Sequence, residues 1–279
     1  MAVVAIVPHQ LRPEAADLAR AAIGWLADWG HDVRVPDEDA EATGLDAWAV
    51  PVGGLGHGAD LAVALGGDGT MLRTVDLVCN DEVPVLGVNV GQLGYLTEVE
   101  PAGLQGALER FFAGDYHVEQ RMTLEVEVGG VRRMALNETV LEKTSSGHTV
   151  RLAMSINDGP FLTTAADGLI VATPTGSTAY NFSARGPIVS PRLRGLVVTP
   201  VSPHTLFDRS LVLDEDEWVR LEVLDGRPAS LVIDGRSLGE LAPGDAVVCR
   251  AGRHDARFVT LDGRDFHQIL KAKFSLADR

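Results

Sequence analysis

Asp60-Leu61-Ala62-Val63-Ala64-Leu65-Gly66-Gly67-Asp68-Gly69-Thr70-Met71 decides the fold. An apolar run, Leu61 to Leu65, reads as a buried strand. It opens into a glycine-rich turn, Gly66–Thr70, and a helix is expected from about Thr70 or Met71. Strand, glycine turn and helix N-terminus together form an anion cradle. Glycines let backbone amides approach a phosphate, and the helix end offers unpaired N–H groups and a positive dipole. Asp68 is out of place there. A carboxylate repels phosphate unless it serves a metal or a reacting hydroxyl, which points to phosphoryl transfer. Taken alone, the stretch also reads as a tight turn between strand and helix.

Working outward, Ala2–Val7 reads as a first strand, and Pro8 and Pro13 frame a loop. Leu11, Ala15, Leu18, Ala22, Leu26 and Trp29 recur at helical spacing up to Gly30. Val33–Val35, Trp48–Val52 and Pro84–Val90 are further strand candidates, and Asp37–Glu41 reads as a solvated acidic loop. Alternation of strands and helices predicts a doubly wound, mostly parallel α/β sheet. Such sheets bind ligands at the C-terminal ends of their strands, where Gly66–Thr70 and Asn89 fall. After an amphipathic helix within Gly103–Gly114 the pattern changes. Leu124–Val128, Met134–Leu141, Val150–Ile156, Leu169–Ala172, Leu196–Val201, Trp218–Val223, Leu231–Ile233 and Ala246–Cys249 are short β-type runs separated by turn residues. The expected organisation is an α/β domain over 1–119, a β-rich domain over 120–255, and a C-terminal segment, 256–279, packing back on the first domain.

The chain of 279 residues is 46% hydrophobic and 23% charged, a composition that folds. Its formal net charge of −15 speaks against duplex nucleic acid or anionic membrane as a partner. Cys79 and Cys249 stand far apart in no ligand spacing, as in a reducing compartment. MAVVAIV is too short for a signal peptide, and no run approaches the ~20 apolar residues of a membrane span, so a cytoplasmic location is expected.

Three further stretches carry chemistry. Asn137-Glu138 follows a strand-like run, and a carboxylate there suits ribose hydroxyls, although a surface turn reads the same way. Asp167–Tyr180, DGLIVATPTGSTAY, is a buried strand opening into a hydroxyl-rich loop. Thr175, Ser177 and Thr178 can satisfy a polar ligand, and Tyr180 can pack on a planar base; the alternative is a plain Ser/Thr-rich turn. Ile233-Asp234-Gly235-Arg236 reads as a hairpin turn, from which Arg236 can point a guanidinium at a phosphate or a base.

In order, GGDGT (66–70), NVGQLGYL (89–96), NE (137–138), DGLIVATPTGSTAY (167–180), SPHTL (202–206) and IDGR (233–236) resemble the NAD kinase family. GGDGT is shared with lipid kinases, whereas TPTGSTAY is specific. The resemblance implies an α/β N-terminal domain, a β-rich C-terminal domain and a homodimer or homotetramer. It places Asp68 by the 2′-hydroxyl of the adenosine ribose as general base, with Gly67, Gly69 and Thr70 beside it and Arg73 near phosphates. Asn137 and Glu138 would hold ribose and adenine groups, and Asp167 would mark the nicotinamide end. Thr175, Thr178, Ala179, Tyr180 and Ser183 would line the adenosine part. His148 falls where members often bind substrate. This chain departs from the family at four positions. Arg185 replaces a glycine, Gln92 stands for arginine, Arg236 for glutamine, and Ala165 lacks the basic side chain of members strict for oxidised NAD.

The expected reaction is transfer of the terminal phosphoryl group of ATP or polyphosphate to NAD or NADH, with Mg²⁺ carried on the donor phosphates. Two rivals are a lipid kinase of the diacylglycerol or sphingosine type and a non-catalytic dinucleotide-binding regulator. The acidic balance and TPTGSTAY argue against the first. Intact Asp68 and Glu138 argue against the second.

Overall fold

The computed structural model describes the chain apart from Gln92, Leu93, Asp225, Gly263, Arg264 and residues 277–279. Its contacts divide into Met1–Gln120 with Ala256–Arg279, and Arg121–Asp255.

The first unit begins with β1 (Val3–Pro8) and α1 (Pro13–Asp28). Pro13 starts the helix where its missing N–H costs nothing, and Ala15, Ala19, Ala22, Ile23 and Leu26 form the buried stripe. Next come β2 (Asp32–Pro36), α2 (Asp37–Thr43), the two-residue β3 (Ala49–Val50), β4 (Leu61–Gly66), α3 (Asp68–Val78), β5 (Val85–Asn89), α4 (Leu104–Phe112) and β6 (His117–Arg121). The chain returns at its end with β19 (Ala256–Thr260) and α6 (Phe266–Lys273). The seven strands run in the order β3-β2-β1-β4-β5-β19-β6. The pairings β1–β2, β1–β4, β2–β3, β4–β5 and β5–β19 are parallel. Every residue of β4 is buried, as a central strand covered on both faces requires.

Three expectations are corrected here. Asp37–Glu41 is not a solvated loop. It lies in α2, and Asp39 is fully buried. The strand expected over Trp48–Val52 shrinks to Ala49–Val50, between short turns of 3₁₀ helix at Asp46–Trp48 and Val52–Gly54. The helix expected from Thr70 or Met71 starts at Asp68, because Gly67 already accepts from the N–H groups of Thr70 and Met71.

The second unit is antiparallel. β7 (Leu124–Val128), β8 (Val131–Ala135), β10 (Val150–Ile156), β11 (Gly159–Ala166), β15 (Val219–Val223) and β18 (Ala246–Ala251) form one sheet, ordered β11-β10-β15-β18-β7-β8. β9 (Glu138–Lys143), β12 (Gly168–Ala172), β13 (Gly195–Val201), β14 (Leu211–Asp214), β16 (Ala229–Ile233) and β17 (Arg236–Leu241) form the other, ordered β14-β13-β12-β9-β16-β17. Leu152, Leu221 and Val247 from the first pack with Leu141, Leu169 and Leu231 from the second in one core. The single strand expected over Met134–Leu141 breaks at Leu136-Asn137, where the chain crosses from β8 to β9 and changes sheets. β12 is buried along its whole length because α5 (Tyr180–Ser183) and the turn before it cover its second face.

Candidate active site

In the first unit the site is built on α3. A Cβ on Gly66 would lie 2.1 Å from Thr70 Oγ1, so only glycine lets β4 turn this tightly into the helix. The first-turn amides and Asp68 therefore face the C-terminal ends of the strands. A cavity of about 410 Å³ opens there, lined by Gly67–Thr70 and Arg73 from α3 and its cap, and by Pro8–Arg12 after β1. The N–H of Tyr95 donates to Asp68 Oδ2 (2.9 Å) and that of Leu96 to Oδ1 (3.0 Å). Gly94 is required in this embrace, since a Cβ would sit 2.1 Å from Oδ1. Each carboxylate oxygen keeps a further lone pair to accept from a hydroxyl. Asn89 lies at the end of β5 opposite Gly66, 4% exposed, and donates to Glu100 at 3.3 Å.

His9, Gln10 and Arg12 were not anticipated as cavity residues. Their signal was positional: the loop after β1 opens at the same sheet end as the turn after β4. Arg12 donates to the carbonyl of Val90, where Gly91 adopts φ +130°. Arg73 is not free to wander towards a ligand. Its guanidinium donates to buried Asp39 and, at 3.4 Å, to Glu38. Gln92 lies outside the described residues.

The second unit assembles its own cluster where β9 and β12 run side by side, with Glu138 opposite Ala172. Beyond these strands, Thr173 donates its N–H to Asn137 O (2.8 Å) and its hydroxyl to Leu136 O (2.5 Å). Gly176 packs so closely that a Cβ would lie 2.1 Å from Asn137 O. The hairpin between β16 and β17 turns through Asp234 (φ 45°) and Gly235 (φ 77°), both left-handed as a tight hairpin turn requires. The turn positions Asp234 to accept from the N–H groups of Leu136 (2.7 Å), Asn137 (2.8 Å) and Glu138 (3.0 Å). Asp234 is thus the residue that holds the Asn137-Glu138 junction. Sequence reasoning had singled out only Arg236 from that turn.

Glu138 is 6% exposed, and its Oε2 has no hydrogen-bond partner. Burial, reinforced by the nearby Asp234 charge, pushes its carboxyl up to about 8, although the backbone N–H of Tyr180 donates to it. Tyr180 lies along the same face, its phenol bonded to Glu142 and its pKa raised by burial and by the charges of Glu142, Asp167 and Glu138. Asp167 is paired with Lys143 at 2.7 Å. Thr175 is buried with an unpartnered hydroxyl, Thr178 bonds to the carbonyl of Thr175 at 3.4 Å, and Ala179 precedes α5. These residues share one face of one sheet. Ser183 is exposed at the end of α5, Arg236 is exposed at the start of β17, and His148 is exposed in the β9–β10 connection. Arg185, in the family's glycine position, adopts φ +66°. That is a left-handed backbone, which favours glycine, carried here by an arginine.

Comparison with known proteins agrees in both units. The ATP-NAD kinase N-terminal domain family matches residues 4–116, and the ATP-NAD kinase C-terminal domain family matches residues 136–261. The NAD kinase of Heliobacterium modesticaldum is 40% identical over 280 residues, covering 98% of each chain. That of Nocardia farcinica is 35% identical, over 98% of this chain and 91% of its own. Among solved structures, yeast NADH kinase complexed with NADH superposes with a TM-score of 0.91 at 26% identity, covering 100% of this chain and 89% of that one. With the GGDGT turn on α3 and the TPTGSTAY turn on β12 in place, and both family domains matched along its length, the chain belongs to the NAD kinase family.

Proposed function

We propose that this protein transfers the terminal phosphoryl group of ATP to the 2′-hydroxyl of the adenosine ribose of NAD or NADH. The observation that carries this is Asp68, a carboxylate pinned by two backbone N–H groups in the first turn of α3 and lining the glycine-walled cavity. The relatives are named NAD kinase, and one solved relative is a complex with NADH. These support a dinucleotide acceptor and not a lipid.

In this mechanism the transition state is loose, so positioning and charge neutralisation dominate. The cavity's amides and Arg73 take the donor phosphates. Asp68 accepts the hydroxyl proton, a role typically worth ~10²–10⁴-fold. Asn137 and Glu138 hold ribose and base groups, Thr175, Thr178, Ala179 and Tyr180 the adenosine, and Asp167 the nicotinamide end. A divalent cation on the donor phosphates fits the cavity. Asp68 is the one carboxylate among its lining residues, and Mg²⁺ is commonly held by one or two carboxylates plus phosphate. It would supply charge neutralisation on the phosphates. Ala165 offers no cation to favour oxidised NAD, so both redox forms are accepted. Self-association and a cytoplasmic location complete the proposal. Leu193, Leu206 and Val212 are exposed apolar residues on the second unit suited to a subunit contact, and no helix among the described residues is long and apolar enough to cross a membrane.

The test is purified protein with Mg²⁺, NAD or NADH, and ATP or polyphosphate, read by NADP(H) formation. Product with ATP and either dinucleotide is expected. Tight NAD binding without product would favour a regulator instead.

A further inference from the structure

Asp39 has no place in the roles above, yet it is a fully buried carboxylate at the back of the donor cavity. Its Oδ1 accepts from Gln10 Nε2 at 2.7 Å, and its Oδ2 accepts from Arg73 Nη1. Both partners line the cavity. One anion therefore ties the loop after β1 to α3, both of which line the cavity. A buried charge persists only when paired and hydrogen-bonded, and Asp39 has both kinds of partner. The second acid near Arg73, Glu38, is 71% exposed at 3.4 Å and is a solvent-screened surface pair.

We propose that Asp39 is a positioning residue for phosphoryl transfer: it fixes the Arg73 guanidinium at the wall of the donor cavity so that its remaining N–H donors meet the donor's phosphates without reordering. An arginine side chain has large rotamer freedom, and a planar fork anchored on one edge loses little of it on binding. Asp39 does not touch the donor. It acts through Arg73, and through Gln10 it holds the loop after β1 in place. The proposal rests on the assignment of this cavity to donor phosphates, and the experiment separates the two.

Asp39→Asn, Arg73→Gln, the double variant and Glu38→Gln are compared with wild type for donor KM, NAD KM and kcat, and for binding of inorganic tripolyphosphate by calorimetry. Asp39→Asn is expected to raise donor KM about tenfold, the loss of one charged hydrogen bond, with NAD KM unchanged. The double variant is expected to match Arg73→Gln alone, since a residue acting only through Arg73 adds nothing once Arg73 is gone. Glu38→Gln is expected to change donor KM less than about twofold. If Asp39→Asn fails to fold, Asp39→Glu replaces it. Its longer carboxylate keeps the charge but shifts the guanidinium, raising donor KM about threefold while Arg73 is present and leaving it unchanged when combined with Arg73→Gln. Additive losses would make Asp39 merely structural and overturn the proposal. An unchanged donor KM in Asp39→Asn alongside a raised one in Arg73→Gln would overturn it while leaving the cavity's assignment intact. Unchanged donor KM and tripolyphosphate affinity in Arg73→Gln would remove the assignment and the proposal together.

Discussion

Replacing Glu138 by glutamine exchanges a carboxyl that titrates near 8 for an amide of the same shape. In the unfolded chain the carboxyl titrates near its ordinary 4.5. Below that pH both states hold the proton and the side chain costs nothing extra. Between 4.5 and about 8 the unfolded chain releases a proton that the folded protein retains, so stability falls as pH rises. Above about 8 the penalty is complete, amounting to roughly 5 kcal/mol at ~1.36 kcal/mol per pH unit. The amide that replaces the carboxyl does not titrate, and its oxygen still accepts from the N–H of Tyr180. Thermal melts of Glu138→Gln and wild type from pH 5 to 9 therefore nearly coincide at the acid end. They diverge as pH rises, with the variant higher by on the order of 10 °C at pH 9. Taking the difference between the two proteins cancels the titrating groups that do not interact with residue 138; Asp234 and Tyr180 remain coupled to it. At pH 9, where the wild-type carboxyl is ionised, the variant also binds NAD about 10–100-fold more weakly, the loss of a charged acceptor. A melting difference that is flat across this range would refute the argument, because it would mean that folding does not move the carboxyl.

Asp68→Asn lowers kcat by about 10²–10⁴-fold. It also turns an amide N–H₂ towards the N–H of Tyr95 or Leu96, so a loss of about 1–3 kcal/mol in chemical denaturation accompanies it. NAD KM should change less than about tenfold; near-normal turnover would remove Asp68 from the base role. Gly94→Ala drives a methyl onto Asp68 Oδ1 and is expected to cost at least about 10²-fold in turnover through misplacement alone, measured as kcat at saturating substrates. Arg185→Gly relieves a left-handed arginine and should raise stability by up to about 1 kcal/mol, less whatever the more flexible glycine costs, with kinetics unchanged. A destabilised Arg185→Gly would show that the arginine side chain contributes more than its backbone costs.

The parallel α/β sheet and the antiparallel second unit were legible because each leaves its period in the chain: apolar runs and helical stripes before Gly114, alternation and Gly or Asn turns after it. The glycine turn and the TPTGSTAY loop were legible because their residue types are costly unless used. What the sequence concealed were long-range partners. Asp37-Glu38-Asp39 contains no apolar residue to mark an inward face, and Arg73 and Gln10, distant in sequence, are the partners that accommodate a buried Asp39. Met134–Leu141 holds no Gly or Pro to mark a break, yet Asp234 captures the amides of residues 136–138 at the point where the chain passes between sheets. The start of α3 was misplaced because glycine is a poor helix former; here Gly67 accepts the first helical bonds and frees Asp68 to enter the helix.

The strand order β5-β19-β6 has a consequence for synthesis. Phe258 pairs with Val85, so a strand in the interior of the first sheet is among the last segments to leave the ribosome. At ~5–20 residues per second, the edge of β5 waits roughly 10–35 s for its neighbour. Throughout that interval the nascent N-terminal unit has a gap where β19 belongs, while every strand of the second unit, from β7 to β18, is made before β19 emerges. A premature stop before Ala256 would release a chain with an intact β-rich unit and an α/β sheet open in its middle, its unpaired β5 edge exposed to other chains.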